Sequence, residues 1–168
     1  MEIQPPDSFH LSAAQGWAEL GNPVEASTEL AKLPATLQDH PDVVAVRWSI
    51  SAAANNWNAA LAAAEQLIQL QPDEALGWIH QSYALHELKR TAEARDHLLK
   101  VVDKFPDGAT MRYNIACYEC QLGRLAEARQ WLAKAFRLGD KQKMRAMALE
   151  DLDLQPLWKE LRESRTDS

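Results

Sequence analysis

Apolar positions along this chain recur at the spacing of helices, and the recurrence itself repeats every 34 residues. In 75–108, ALGWIHQSYALHELKRTAEARDHLLKVVDKFPDG, the pattern predicts two helices joined by a tight turn. Ala94 in the second of these has counterparts at Ala26, Ala60 and Ala128, and the turn before it holds Gly21, Asn55, Lys89 and Gly123 at the same interval. A fixed period in this range marks stacked supersecondary units. Starting them at Asp7, Pro41, Ala75 and Ala109 gives units 7–40, 41–74, 75–108 and 109–142 without insertion. They are read as one domain spanning 1–168, with 143–164 as a C-terminal cap.

Helices are expected near 8–20, 42–54, 57–70, 74–88, 91–104, 108–122 and 125–138. Asn22-Pro23 turns the first unit into its second helix. Pro34 stops that helix early, because it lacks an N–H and clashes with the preceding turn. Pro41-Asp42, Pro72-Asp73 and Pro106-Asp107 each end one unit and open the next, with aspartate accepting the free N–H groups of the new helix. Past Gly139 the period fades. One more helix is expected over 140–149, with Met144 and Met147 on one face. Leu154, Leu157, Trp158 and Leu161 then recur at i, i+3, i+4 and i+7, an amphipathic helix suited to covering the last unit's stacking face. The competing reading makes it a detachable partner-binding helix.

Composition narrows this further. Among 168 residues there are 6 Gly and 8 Pro, and runs of Val, Ile and Thr at period two are missing, so the fold class is all-α. No apolar run approaches the ~18 residues of a membrane span. The start, MEIQPPDSFH, lacks the basic and apolar segments of a secretory signal, and two cysteines make no disulfide framework, so a cytoplasmic location is expected. The net charge of −6 is uneven: residues 1–84 carry 2 basic and 10 acidic side chains, residues 85–168 carry 16 and 14. An acidic chain without a basic stripe argues against nucleic acid. The asymmetry fits head-to-tail attraction between copies, but a merely solvated surface is the favoured reading.

These residues resemble the tetratricopeptide repeat (TPR). The resemblance covers about 7–140 and is strongest in 75–108, where Trp78, Ala94 and Pro106 fall on the family's Trp, Ala and Pro. Tyr113-Asn114-Ile115-Ala116 and Leu122-Gly123 match its first-helix pattern. The resemblance implies a right-handed α-solenoid of four helix-turn-helix repeats closed by C-terminal helices; the tail MALEDLDLQPLW resembles extensions after such repeats in some bacterial proteins. Three departures stand out. Trp48 takes a slot for a small residue, beside the slim Ala59, Ala60, Ala62, Ala63 and Ala64. Arg112 replaces a large apolar residue, and Pro34 shortens the first unit.

The first helix of the third unit carries two stripes. Trp78, Ser82 and Leu85 face its hairpin partner, while Leu76, Ile79, Tyr83 and His86 lie on the opposite side, and a helix with two apolar faces needs two covers. In the family, that second stripe lines a concave, ligand-binding groove. Here the resemblance implies a peptide groove of Leu76, Ile79, Tyr83, His86, Tyr113, Asn114, Cys117, Cys120 and Gln121. Tyr83 and Tyr113 would be the anchors, and Asn114 and Gln121 would hydrogen-bond a peptide backbone. The bland alternative is that Ile79 and Tyr83 pack against neighbouring first helices. Chaperone-binding relatives grip a terminal carboxylate with Lys, Arg and Asn. The corresponding places here hold Leu11, Gln15, Val46, Leu76 and His80, or in the next framing Ala45, Ser49, His80, Thr110 and Asn114, without a fixed positive charge. The partner should therefore be apolar or mildly basic.

Cys117-Tyr118-Glu119-Cys120 is a CxxC. A redox site would need its first sulfur at a helix N-terminus after a strand, and a zinc site more ligands than His86 alone. Two small buried thiols are the expectation. The sequence offers no nucleophile–base constellation or glycine-rich phosphate loop, so a non-catalytic adaptor without metal or cofactor is expected, binding a protein or peptide and no nucleic acid or membrane. Two other classes stay in view: a self-assembling structural module, and a thiol or metal protein using Cys117, Cys120 and His86.

Overall fold

The computed structural model describes residues 2–163; Ser164, the last residue of the expected cap, lies outside them. The described chain is helical and falls into two compact units that divide between Leu88 and Lys89. The N-terminal unit contains α1 (Asp7–Glu19), α2 (Pro23–Leu30), α3 (Pro41–Ala53), α4 (Trp57–Leu70) and α5 (Ala75–Glu87). The C-terminal unit contains α6 (Thr91–Val101), α7 (Ala109–Gln121), α8 (Leu125–Leu138), α9 (Lys141–Ala148), a 3-10 helix (Leu152–Leu157) and α10 (Trp158–Glu163). In the first unit α1 packs on α2 and α3, α3 on α4, and α4 on α5. In the second, α7 is central, covered by α6, α8 and the 3-10 helix.

Two features explain the period of 34. Ala26, Ala60, Ala94 and Ala128 are each 0% exposed, so a methyl group is what their helix crossings admit. Among described residues, positive φ occurs at Gly21 (72°), Asn55 (54°), Lys89 (65°) and Gly123 (77°), the four turn positions. These left-handed residues end the first helix of each pair. At Gly21 its own N–H reaches Ala18 O at 3.0 Å and that of Asn22 reaches Trp17 O at 2.9 Å; the same two bonds recur at Asn55 and Gly123. Orphan carbonyls are thereby satisfied and the chain reverses.

α2 ends at Leu30, the residue whose carbonyl the Pro34 ring would strike. A groove of about 870 Å³ lies between α2, α3 and α4, lined by Val24, Leu30, Ile50 and Ala59 among others. The cap of α3 differs from expectation: His40, not Asp42, serves as acceptor, its Nδ1 taking the Asp42 N–H at 3.2 Å. Gly77 marks the closest approach of α5 to α4, where an added Cβ would lie 3.0 Å from the Ile68 backbone nitrogen.

Arg112 keeps its place in the C-terminal core by working as a cap. It is buried, and its guanidinium donates to the carbonyls of Phe105 (2.8 Å) and Gly108 (3.1 Å) at the α6–α7 connection, adding a charged donor to the backbone N–H groups of Gly108 and Arg112 that these carbonyls also accept. The tail departs from one continuous amphipathic helix. Pro156, with no N–H, lies in a 3-10 stretch, and the α-helical turn begins only at Trp158. Leu154, Leu157 and Leu161 are nonetheless buried, as their spacing predicts.

Candidate functional site

In the N-terminal unit the inward faces of α1, α3 and α5 form a groove of about 420 Å³. Its walls include Leu11 and Gln15 from α1, Asp42, Ala45 and Ser49 from α3, and Leu76 and His80 from α5. They converge because helical residues three or four apart share a face. Asp42 and His80 are the ionisable side chains in this lining. Burial lowers the His80 pKa to about 4, so its ring is neutral at pH 7 and the groove's fixed charge is the Asp42 carboxylate. Such a wall attracts cationic groups and repels carboxylates.

An aromatic cluster adjoins the groove. Trp48 stacks on His80 with centroids 3.7 Å apart and planes within 4°. Tyr83 meets Trp48 edge-on at 6.1 Å and Trp57 at 5.6 Å. Trp48 also packs on the small-residue side of α4, against the cluster of Val44, Ala63 and Leu67. The indole thus uses the room left by alanines on one side and a histidine plate on the other. The buried Trp48 Nε1 has no hydrogen-bond partner among the described residues.

The residues expected to line a peptide groove divide between the two units. On α5, Leu76 is 46% and Tyr83 41% exposed, while Ile79 and His86 are half-buried. On α7, Asn114 is half-buried and Gln121 exposed, but Tyr113, Cys117 and Cys120 are 3–4% exposed. The α7 stripe does not face open solvent, because the chain's own residues 151–157 lie over it. The Tyr113 hydroxyl donates to Asp151 Oδ2 at 2.9 Å, the Cys117 thiol to the same oxygen at 3.5 Å, and Gln121 Nε2 to the Asp153 carbonyl at 2.9 Å.

Burial, then the Asp151 and Asp153 carboxylates, raise the Cys117 pKa well above its usual value, and burial raises that of Cys120. Desolvation likewise pushes the Tyr113 phenol up. Both thiols are free and stay protonated at neutral pH, the reverse of the electropositive setting that makes a CxxC sulfur a nucleophile. The residues that sequence reasoning passed over are Asp151, whose only signal was an acidic pair ahead of LQPLW, and the Trp48–His80 pair.

The Tetratricopeptide repeat family model matches residues 52–109 and 90–142, more than half of the chain. The chain belongs to that family, one of protein-interaction modules. Solved structures of MamA share the fold: one is 16% identical with a TM-score of 0.67, covering 83% of this chain and 81% of that one. MamA from MSR-1 is 19% identical with a TM-score of 0.63, covering 81% and 78%. MamA from AMB-1 is 18% identical with a TM-score of 0.61, covering 94% and 97%. No curated protein matches the chain by sequence. Among the described residues no helix is long and apolar enough to cross a membrane.

Proposed function

We propose that this chain is a non-catalytic adaptor whose α1–α3–α5 groove holds an apolar peptide segment carrying basic side chains. The observation that carries the reading is the groove itself: concave, about 420 Å³, bordered by Leu76 and bearing the Asp42 carboxylate. Tyr83 stands beside it, half-open and braced by Trp48 and Trp57, so little rotamer freedom is lost when a ligand covers it. Net charge agrees, since residues 1–88 carry 2 basic and 11 acidic side chains.

The test is fluorescence anisotropy with twelve-residue peptides in which Leu or Phe alternates with Lys or Arg, against acidic counterparts. Basic peptides should bind, and Asp42→Lys combined with Leu76→Ala should weaken them about tenfold or more, with melting unchanged. Equal binding of basic and acidic peptides, or indifference to the double substitution, would remove the groove as the site.

A second reading, self-assembly, draws on the charge difference between the units, a net of −9 for 1–88 against +3 for 89–168. It expects oligomers that dissociate as salt rises. A monomer at every concentration in light scattering would end it.

A further inference from the structure

Residues 151–161 are held in the C-terminal unit in the manner of a bound peptide. Tyr113, Cys117 and Gln121 are spaced by four on α7 and so form one stripe. The first two converge on the Asp151 carboxylate, and the third takes the carbonyl of Asp153. Leu154 and Leu157 then fill the apolar surface beside them, 0% and 1% exposed. The Trp158 indole N–H closes the segment on itself by donating to the carbonyls of Ala148 and Asp151. Arg129 grips Glu160 with two hydrogen bonds of 2.6 and 2.5 Å. A plug whose sole task was to cover apolar surface would need only its leucines. This one is read by two side chains on its carboxylate, by a third on its backbone, and by a bidentate ion pair at its far end, which is how a groove selects a ligand.

We infer that the inner face of α7 is a recognition surface for a short acidic–apolar segment of pattern Asp-x-x-Leu-x-x-Leu. Residues 151–157 are its resident occupant, and a partner segment of the same pattern replaces them. The occupant already in place defines the partner's chemistry: a carboxylate for the Tyr113 hydroxyl, an open carbonyl two residues on for Gln121, and two leucines. This partner is opposite in charge to the one proposed for the α1–α3–α5 groove, and neither proposal depends on the other.

The probe is a labelled peptide of residues 150–163, offered to the full-length protein and to its Asp151→Asn/Leu154→Ala variant, whose own tail is weakened. The peptide should bind the variant at least about tenfold tighter than the parent protein, whose site is already filled. A peptide carrying Asp151→Asn should bind the variant about tenfold more weakly, as should the native peptide once Tyr113→Phe is added. Three results would overturn the inference. One is the absence of peptide binding to a variant that keeps its helical circular dichroism. Another is loss of that helicity, which would make the segment plain core. The third is a concentration-dependent dimer that excludes the peptide, which would assign the face to a second copy. The unaltered protein gives an independent reading by hydrogen exchange. Amides of residues 154, 155, 157 and 158 should exchange faster than those of 113–120, and equal protection would mean that the segment never leaves before the unit unfolds.

Discussion

Trp48 and His80 lie face to face, ring centroids 3.7 Å apart and planes within 4°, joining the middle of α3 to the middle of α5. The contact is built for a neutral imidazole. Burial lowers its pKa from 6.5 to about 4, while the unfolded chain takes up the proton near 6.5.

Between those two values the unfolded state binds more protons than the native state. Stability should therefore be full above pH 6.5, fall as pH drops toward 4, and level off below. The His80 share of the loss is up to about 3 kcal/mol. His80→Phe keeps a ring on Trp48 without a titrating group. Urea unfolding of the two proteins between pH 7 and 4 should show the parent losing stability relative to His80→Phe as the pH falls. Parallel curves would mean that His80 titrates normally.

Lys89 occupies a left-handed conformation, φ 65°, at a turn where Gly21 and Gly123 stand in equivalent places. A side chain there costs roughly 1–2 kcal/mol, part of which glycine gives back as unfolded-state entropy. Lys89→Gly should stabilise the chain by about 0.5–1 kcal/mol and raise Tm by about 1–4 °C, whereas Lys89→Val should lower it. Scanning calorimetry decides; a lower Tm for the glycine variant would show that the lysine side chain contributes more than its backbone costs.

Two helical glycines should respond in opposite directions to alanine. At Gly16 a Cβ meets nothing within 4 Å, so Gly16→Ala should stabilise by about 1 kcal/mol through helix propensity. At Gly77 it would lie 3.0 Å from the Ile68 backbone nitrogen and 3.2 Å from Leu67 Cβ, and backbone cannot move aside as a side chain can. Gly77→Ala should cost about 1–2 kcal/mol net, read as a lower urea midpoint. Shifts of the same sign at both sites would contradict the close α4–α5 approach.

Arg112 donates to the Phe105 and Gly108 carbonyls from a buried position. Arg112→Met restores the large apolar residue usual at this place in the repeat, yet it should destabilise by about 2–3 kcal/mol because those carbonyls lose a charged donor. A variant as stable as the parent in chemical denaturation would mean that water replaces the guanidinium without loss.

The pattern of helices was legible because its causes are local. Pro34 stopping α2 and Asn22 capping it at 3.3 Å from the Glu25 N–H follow from covalent geometry and hydrogen-bonding inventory. The Trp48 environment was legible only in part. The alanines of α4 announced room for an indole, but nothing near Trp48 in the chain names His80, 32 positions away, as its stacking partner. The 3-10 winding of 152–157 shows how a single proline modifies a stripe that otherwise buries as its spacing predicts.

By itself, then, the sequence determined the helical repeats, the places of the four turns and the alanine that recurs in each second helix, since these follow from the 3.6-residue period and its repetition every 34 residues. Tertiary structure alone decided what covers the stripe of Tyr113, Cys117 and Cys120. An aromatic and thiol face is compatible with solvent-lined binding surface, with core, or with a docked segment, and its periodicity is the same in all three. Asp151, 38 residues beyond Tyr113, reaches that stripe only through the path of the folded chain, and that path is a property of the whole unit.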